Sequence, residues 1–387
     1  MKALTVFGTR PEAIKLAPVV HALRERSGVE VEVCVTAQHR EMLDQVLSIF
    51  DIRPDVDLDL MRHDQSLASL TAAVVERVSG VLQERRPDLV IVQGDTTTAF
   101  AAGLAAFYHR IPVAHVEAGL RTNQRYAPFP EEVNRRFISC FAEWHFVPTE
   151  RAREALLAEN CPDDRIHVVG NTVIDALLSV LAWARTRGFG ADPALSAVLA
   201  THPFVLITGH RRENFGDGFR NVCLAISDLA RAHPEVRWVY PVHLNPNVSS
   251  VVHGMLGGRD NIHLVPPVDY LDFVWLMDAA RLILTDSGGV QEEGPSLGKP
   301  VLVMRETTER PEAVTAGVAA LVGTRRHAIV ERTHELLTDP AVYASMTAPQ
   351  NPYGDGTSAR QIVEVLLRSG RPSLAVATCR GDERPAQ

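Results

Sequence analysis

Residues 1–15 read MKALTVFGTRPEAIK. Ala3 to Phe7 form a short apolar run with a β-branched member at Val6, Gly8 breaks it, and apolar residues then recur at 13, 14, 16, 17, 20 and 23. The order is strand, turn, helix, with the helix expected over about 12–26. The same order returns at EVEVCVT (30–36) before AQHR, at DLVIVQ (88–93) before GDTTT, and at VAHV (113–116) before EAGLR, and further helices are expected near 64–85 and 97–109. Short apolar strands alternating with helices build a parallel α/β sheet.

A second series runs through FVLIT (204–208) before GHRRENF, RWVYPVH (237–243) before LNPN, LILT (282–285) before DSGG, and PVLVM (300–304) before RETTERPE. The fold class expected is therefore α/β, with two Rossmann-like parallel sheets facing a central cleft. Between the series lie GNTVIDALL (170–178), a helix rich in Ala and Leu, and GFGADP (188–193). The boundary is expected near residue 170, giving an N-terminal domain over 1–170 and a C-terminal domain over 171–357. The closing stretch 369–387 mixes Pro, Gly, Ser and charge without periodicity and reads as a disordered tail.

The 387 residues suit two domains. A net charge of −8, spread without long single-sign runs, argues against a nucleic-acid binder. Cysteines at 34, 140, 161, 223 and 379 show neither CxxC spacing nor dense pairing, so neither a disulfide framework nor a Cys-based zinc site is expected. The first apolar run meets Gly8 and charge too early for a signal-peptide core, and no uninterrupted apolar stretch would span a bilayer. A cytoplasmic protein with no membrane partner is expected.

Arg10, Asp95, Glu117, His210, His243, Asp286 with Ser287, and Arg305 each fall at or just beyond the end of an expected strand. In open parallel sheets the ligand crevice lies at that edge, so two facing sheets would gather these residues into one polar cleft. GTRPEAIK (8–15) sets a Gly turn, Arg10 and Lys15 at a helix start, where exposed N–H groups favour an anion; an ordinary capped helix start reads equally well. DSGGVQEEG (286–294) offers Ser287, Gly288 and Gly289 as a phosphate cradle between strand and helix, with Glu292 or Glu293 placed to grip ribose hydroxyls.

Asp95, Glu117 and Glu131 are acidic in a chain without metal-ligand spacing or an evident nucleophile, and such carboxylates suit proton removal and return. Helix capping by Asp95, and salt bridges from the glutamates to Arg121, Arg135 or Arg136, are the structural alternatives. His210 with its following arginines, together with Arg305 and Arg310, would neutralise a departing diphosphate.

GTRPEAIKLAP, QGDTTT, HVEAGLR, PEEVNRR, GNTVIDALL, GHRRENF, YPVHLNPNV, LTDSGG, PSLGKPVLVMR, TTERPEAV and NPYGDG, in that order over residues 2–368, resemble the bacterial non-hydrolysing UDP-N-acetylglucosamine 2-epimerases. The resemblance implies a GT-B glycosyltransferase-like architecture, with a final helix at about 358–368 packing back on the first domain. It implies interconversion of UDP-GlcNAc and UDP-ManNAc by anti elimination of UDP, through a 2-acetamidoglucal, and re-addition. No cofactor and no metal are implied, and a homodimer is.

On the matching positions, the resemblance makes Asp95, Glu117 and Glu131 the acid and base carboxylates and sets His210 on the leaving diphosphate. It assigns UDP to Arg10, Lys15, Phe273, Ser287, Gly288, Gly289, Glu293 and Arg310, with Glu293 on the ribose and Phe273 near the uracil. Many members bind a second UDP-GlcNAc as activator through positions matching Gln38, Arg211, Glu213 and His243. Here Glu41 and Asp64 stand where an amide and an arginine are often found, and acidic groups there would repel a diphosphate. Two rival enzymes share the UDP cradle: a hydrolysing epimerase releasing UDP and ManNAc, and a GT-B glycosyltransferase. A catalytically silent sensor would keep the cradle without the carboxylates.

Overall fold

The structure, a computed structural model, describes residues 1–36, 40–60, 65–347 and 350–368, with side chains left aside at 40 and 41. Gln38, Asp64 and the stretch 369–387 lie outside the described residues. The first sheet contains β1 (Lys2–Phe7), β2 (Glu30–Val35), β3 (Val56–Asp57), β4 (Leu89–Gln93), β5 (Val113–Val116), β6 (Trp144–Val147) and β7 (Ile166–Val168). Its strands are parallel and lie in the order β3-β2-β1-β4-β5-β6-β7. The second contains β8 (Phe204–Thr208), β9 (Arg237–Pro241), β10 (Ile262–Val265), β11 (Leu282–Thr285), β12 (Val301–Val303) and β13 (Ala319–Leu321), all parallel, in the order β10-β9-β8-β11-β12-β13.

The expected fold class is the one found, although β3, β6, β7, β10 and β13 were not among the strands the apolar runs announce. Three of these have only two or three residues, and the other two, WHFV and IHLV, carry a His that interrupts the apolar pattern. The helices expected near 12–26, 64–85 and 97–109 are Arg10–Arg24, Leu67–Arg85 and Thr97–Tyr108.

Strand residues alternate between two apolar layers, as period-2 geometry requires when both faces are covered. In the first sheet Ala3, Phe7, Val33, Val35 and Ile91 join one cluster, and Leu4, Val6, Cys34, Val90 and Val92 the other. In the second sheet Phe204, Leu206 and Ile283 join that first cluster, while Val205, Ile207, Leu282 and Leu284 face away from it. One continuous core therefore spans both sheets, and Val173, Ile174, Leu177 and Val180 of helix Thr172–Arg187 lie in it, with Ile362, Val363 and Leu366 of helix Ser358–Arg368. Helix Ser358–Arg368 packs against Arg10–Arg24, and its first N–H groups, Ser358 and Ala359, donate to the Asp175 carboxylate at 3.3 and 2.8 Å.

Each sheet reverses its direction of winding at one place: between β1 and β4 in the first, and between β8 and β11 in the second. Gly8 and Gly94 follow the first pair; Gly209 and Asp286 follow the second. Such switch points open crevices at the carboxyl ends of strands. Among the described residues no helix is long and apolar enough to cross a membrane.

Candidate functional site

At the first switch point the chain caps its own helix. Glu12, nearly fully buried, accepts from the main-chain N–H groups of Gly8 and Thr9 at 3.0 and 2.8 Å and from Thr96 Oγ1 at 2.6 Å. Those N–H groups are thereby taken by a carboxylate of the protein itself, and the capped-helix alternative describes the start of Arg10–Arg24. Arg10, its first residue, instead reaches into a pocket of about 280 Å³ shared with Thr208, Gly209, His210, Phe273, Ser287 and Glu293. Five residues expected on UDP or the diphosphate thus line one recess between the sheets.

Around that recess the second sheet supplies cations and a helix N-terminus. Ser287 precedes helix Gly288–Ser296, and a Cβ on Gly288 would lie 3.7 Å from Arg211 Nη2 and 3.9 Å from Arg310 Cζ, so two guanidinium groups lie over the N–H groups of a helix start that no side chain caps. Arg211 Nε is buried without a hydrogen-bond partner. The Asp286 carboxylate, fully buried, accepts from the His210 and Arg211 N–H groups at 2.9 and 2.8 Å and so shapes the turn after β8. The His210 ring stacks on His243 with 5.4 Å between centroids. Burial, aided by Arg211 and His243, holds the His210 imidazole below its ordinary range despite Asp286.

Glu293 is buried beside Glu292, and burial with that neighbouring charge pushes its carboxyl up to about 8, against the pull of Lys15 and Arg10. A carboxyl so placed carries a proton in the free protein near neutral pH and can both donate and accept a hydrogen bond.

Glu117 follows β5 with a left-handed backbone (φ 61°), a conformation that costs energy in a non-glycine residue and is concentrated at functional sites. Its carboxylate accepts from Lys15 Nζ at 2.6 and 2.7 Å, from Asn171 Nδ2 at 3.1 Å and from Gln93 Nε2, with Arg310 Nη2 at 3.8 Å. Burial works to raise its pKa, yet Lys15 and Arg310 outweigh burial and hold it below the usual carboxylate range. Arg310 in turn pairs with Glu292. Lys15 is thus brought onto Glu117, and in place of the alternative salt bridges to Arg121, Arg135 or Arg136, Glu117 pairs with Lys15 and Arg310.

Asp95 follows β4, next to Gly94, whose carbonyl lies 2.7 Å from His115 Nε2. Burial keeps that imidazole neutral, with its pKa pushed down to about 3. Asp95 itself is held from helix Glu131–Phe141: Arg135 pairs with its carboxylate, and Asn134 Nδ2 donates to its carbonyl at 2.9 Å. The side chain of Glu131, the first residue of that helix, makes no hydrogen bond or ion pair among the described residues, whereas its neighbour Glu132 takes the contacts to Arg135 and Arg136.

A second, larger cavity of about 810 Å³ adjoins His210 and contains Arg211, Glu213 and His243, three of the four positions expected for an activator. Glu213 there pairs with Arg305, which also lines the cavity and pairs with Glu309, so two carboxylates hold that guanidinium in the free protein. Among the described residues no group of three or more His, Cys, Asp or Glu side chains is arranged to hold a metal ion.

Asn171, Gln93 and Glu292 complete the surroundings of Glu117, and sequence reasoning assigned no role to the first two. Asn171 carries one readable signal, its position between the end of β7 and the start of a helix.

The family model described as UDP-N-acetylglucosamine 2-epimerase matches residues 21–367. Among curated relatives, the UDP-N-acetylglucosamine 2-epimerase of Yersinia pestis is 57% identical over 374 residues, covering 95% of this chain and 98% of its own. That of Escherichia coli K12 is 55% identical over 381 residues, covering 97% and 100%. Among solved structures, Neisseria meningitidis UDP-GlcNAc 2-epimerase bound to UDP-GlcNAc superposes with a TM-score of 0.86 at 49% identity, covering 95% of this chain and all of that one. The Methanocaldococcus jannaschii UDP-GlcNAc 2-epimerase in complex with UDP-GlcNAc and UDP gives 0.79 at 32% identity, again covering 95% and 100%. With a family model over most of its length, relatives above half identity and the GT-B-like fold in common, the chain belongs to the UDP-N-acetylglucosamine 2-epimerase family.

Proposed function

We propose that this protein interconverts UDP-GlcNAc and UDP-ManNAc without releasing free sugar. The observation that carries the reading is Glu117: a buried carboxylate kept ionised by Lys15 and Arg310, the second of which also lies over Gly288 in the anion cradle Ser287–Gly289. A base takes the hydrogen from carbon 2, that electron pair becomes the carbon 1–carbon 2 double bond, and the bond from carbon 1 to the diphosphate oxygen breaks with its pair leaving on UDP. The hydrogen is weakly acidic, so cleavage of the carbon–oxygen bond, with oxocarbenium character, runs ahead of deprotonation. Re-addition of UDP with proton delivery to the opposite face gives the epimer at carbon 2.

In this reading Asp95, Glu117 and Glu131 share proton removal and return. Arg10, Arg310, His210 and the N–H groups after Ser287 stabilise the departing diphosphate, Glu293 holds the ribose, and Phe273 flanks the uracil. Lys15 acts through Glu117. The glycal and UDP must stay together until they recombine, so closure of the two sheets over the ligand is part of the mechanism. The chemistry asks for no metal or redox cofactor.

Two further expectations are carried forward. The larger cavity at Arg211, Glu213 and His243 favours a second UDP-GlcNAc as activator; a hyperbolic rate curve, with UDP-ManNAc turned over in the absence of UDP-GlcNAc, would overturn it. Exposed Phe107, Tyr108 and Phe137, with Phe100 and Phe141 in ring contact beside them, form an apolar face that favours a homodimer.

Proton NMR of the protein with UDP-GlcNAc in deuterated water tests the reaction directly. UDP-ManNAc carrying deuterium at carbon 2 is expected. Free ManNAc with UDP would instead establish a hydrolysing enzyme, and undeuterated, unchanged substrate would favour a glycosyltransferase or a silent binder.

A further inference from the structure

We infer that Asn171 is a positioning residue for the reaction: by donating one amide N–H to Glu117 and the other to Glu292, it sets the orientation of the Glu117 carboxylate relative to the helix that receives the leaving diphosphate. The inference rests on the proposed role of Glu117 as an acid–base group.

The geometry separates two jobs in one side chain. Asn171 Oδ1 accepts from Val173 N at 3.1 Å and caps helix Thr172–Arg187. Capping needs only an acceptor oxygen, which Ser, Thr or Asp supplies as well. The donor half of the amide is left unexplained by the cap, and it is this half that makes the bridge: Nδ2 lies 3.1 Å from Glu117 Oε1 and 2.8 Å from Glu292 Oε2. Glu117 stands at the end of β5 in the first sheet, and Glu292 stands on helix Gly288–Ser296 of the second, four residues past its first N–H. One buried amide therefore bridges the group that would handle the proton and the helix that would handle the phosphate.

The backbone beneath Asn171 is fixed. Its N–H donates to Tyr353 O at 2.7 Å, and Gly170 before it has φ 87° with room for no side chain, since a Cβ would lie 2.7 Å from Ser358 Oγ. The amide is 1% exposed, so water does not substitute for either bond. The charged and titratable groups around Glu117 are Lys15 from helix Arg10–Arg24, Arg310 from the turn after β12, Glu292 across the bridge and His115 on its own strand. Asn171 is the neutral donor common to both carboxylates.

The test uses Asn171→Ser, which keeps the capping oxygen and removes both amide donors. Loss of a hydrogen bond to a charged group predicts a fall in kcat of about 10- to 100-fold with KM for UDP-GlcNAc nearly unchanged. The acidic limb of the kcat–pH profile should move to higher pH, because the charged form of Glu117 loses a donor. Asn171→Asp, which keeps size and cap and replaces the donors by an added negative charge, should displace that limb further in the same direction. Thermal unfolding of both variants reports the cap separately. Unaltered kcat and an unmoved acidic limb in either folded variant would overturn the inference. Failure of the unsubstituted protein to place deuterium at carbon 2 would instead overturn the role of Glu117 on which it rests.

Discussion

Lys15 Nζ and Glu117 Oε2 lie 2.6 Å apart, although 102 residues separate them in the chain. Both are buried, and Glu117 together with Glu292 holds the Lys15 ammonium above its ordinary range against the cost of its own desolvation. Truncating one member of such a pair leaves the other charge buried and uncompensated. Lys15→Met is therefore expected to lower kcat and move the acidic limb upward, with a smaller change in KM. Initial rates across pH check this; a loss confined to KM would return Lys15 to the diphosphate.

Asp95→Asn and Glu117→Gln each remove a carboxylate while keeping shape, and each is expected to reduce turnover at least about 100-fold, as loss of acid–base catalysis does. Deuterium incorporation at carbon 2 followed by NMR is the measure. Near-normal turnover in both variants would remove these residues from the chemistry.

Glu293 ties the binding recess to stability. Its folded pKa, pushed up to about 8, exceeds that of an exposed glutamate, so between about pH 4.3 and that value the folded state holds the proton that the unfolded state releases. This group's contribution to stability is therefore present at acid pH and is lost as pH rises. Glu293→Gln should raise the melting temperature of the ligand-free protein progressively more between pH 6 and 9, while weakening UDP binding if Glu293 holds the ribose as proposed. Scanning calorimetry over that range, with calorimetric titration of UDP, separates the two effects.

The aromatic face on helices Thr97–Tyr108 and Glu131–Phe141 makes the dimer testable. Phe107 and Tyr108 are 55% and 65% exposed, and charge at both positions would be unpaired in a shared interface. The double variant Phe107→Glu, Tyr108→Glu should run as a monomer in light scattering where the parent runs as a dimer. A parent already monomeric at micromolar concentration would contradict the expectation.

Much of the fold was legible because β1, β4, β8 and β11 are continuous apolar runs ended by glycine or an acidic residue, and strand-end logic then located Asp95, Glu117, His210 and Ser287. Edge strands of two or three residues, such as Val56–Asp57, carry too few side chains to show a period. The partners of the site residues were not legible for a different reason. Glu131 and Glu132 are adjacent in sequence but about 100° apart around a helix, so composition cannot say which one meets Arg135. Only packing decides it, and Glu132 does. Nor could the sequence show that Glu213 and Glu309 sit on Arg305, each brought there by a turn of the second sheet.

The stretch that leaves β7 at Gly170–Asn171 and the stretch Tyr353–Ser358 that leads into the last helix touch: Asn171 N–H donates to Tyr353 O, and Gly170 lies against Gly354 and Ser358. Two adjacent, hydrogen-bonded stretches thus tie the chain together at one point. Closure of the two sheets over a ligand, as the proposed reaction requires, would turn about this tied point. The proposed reaction has to keep a reactive glycal beside its leaving group, and stretches tied side by side would return the two sheets to one register each time they close.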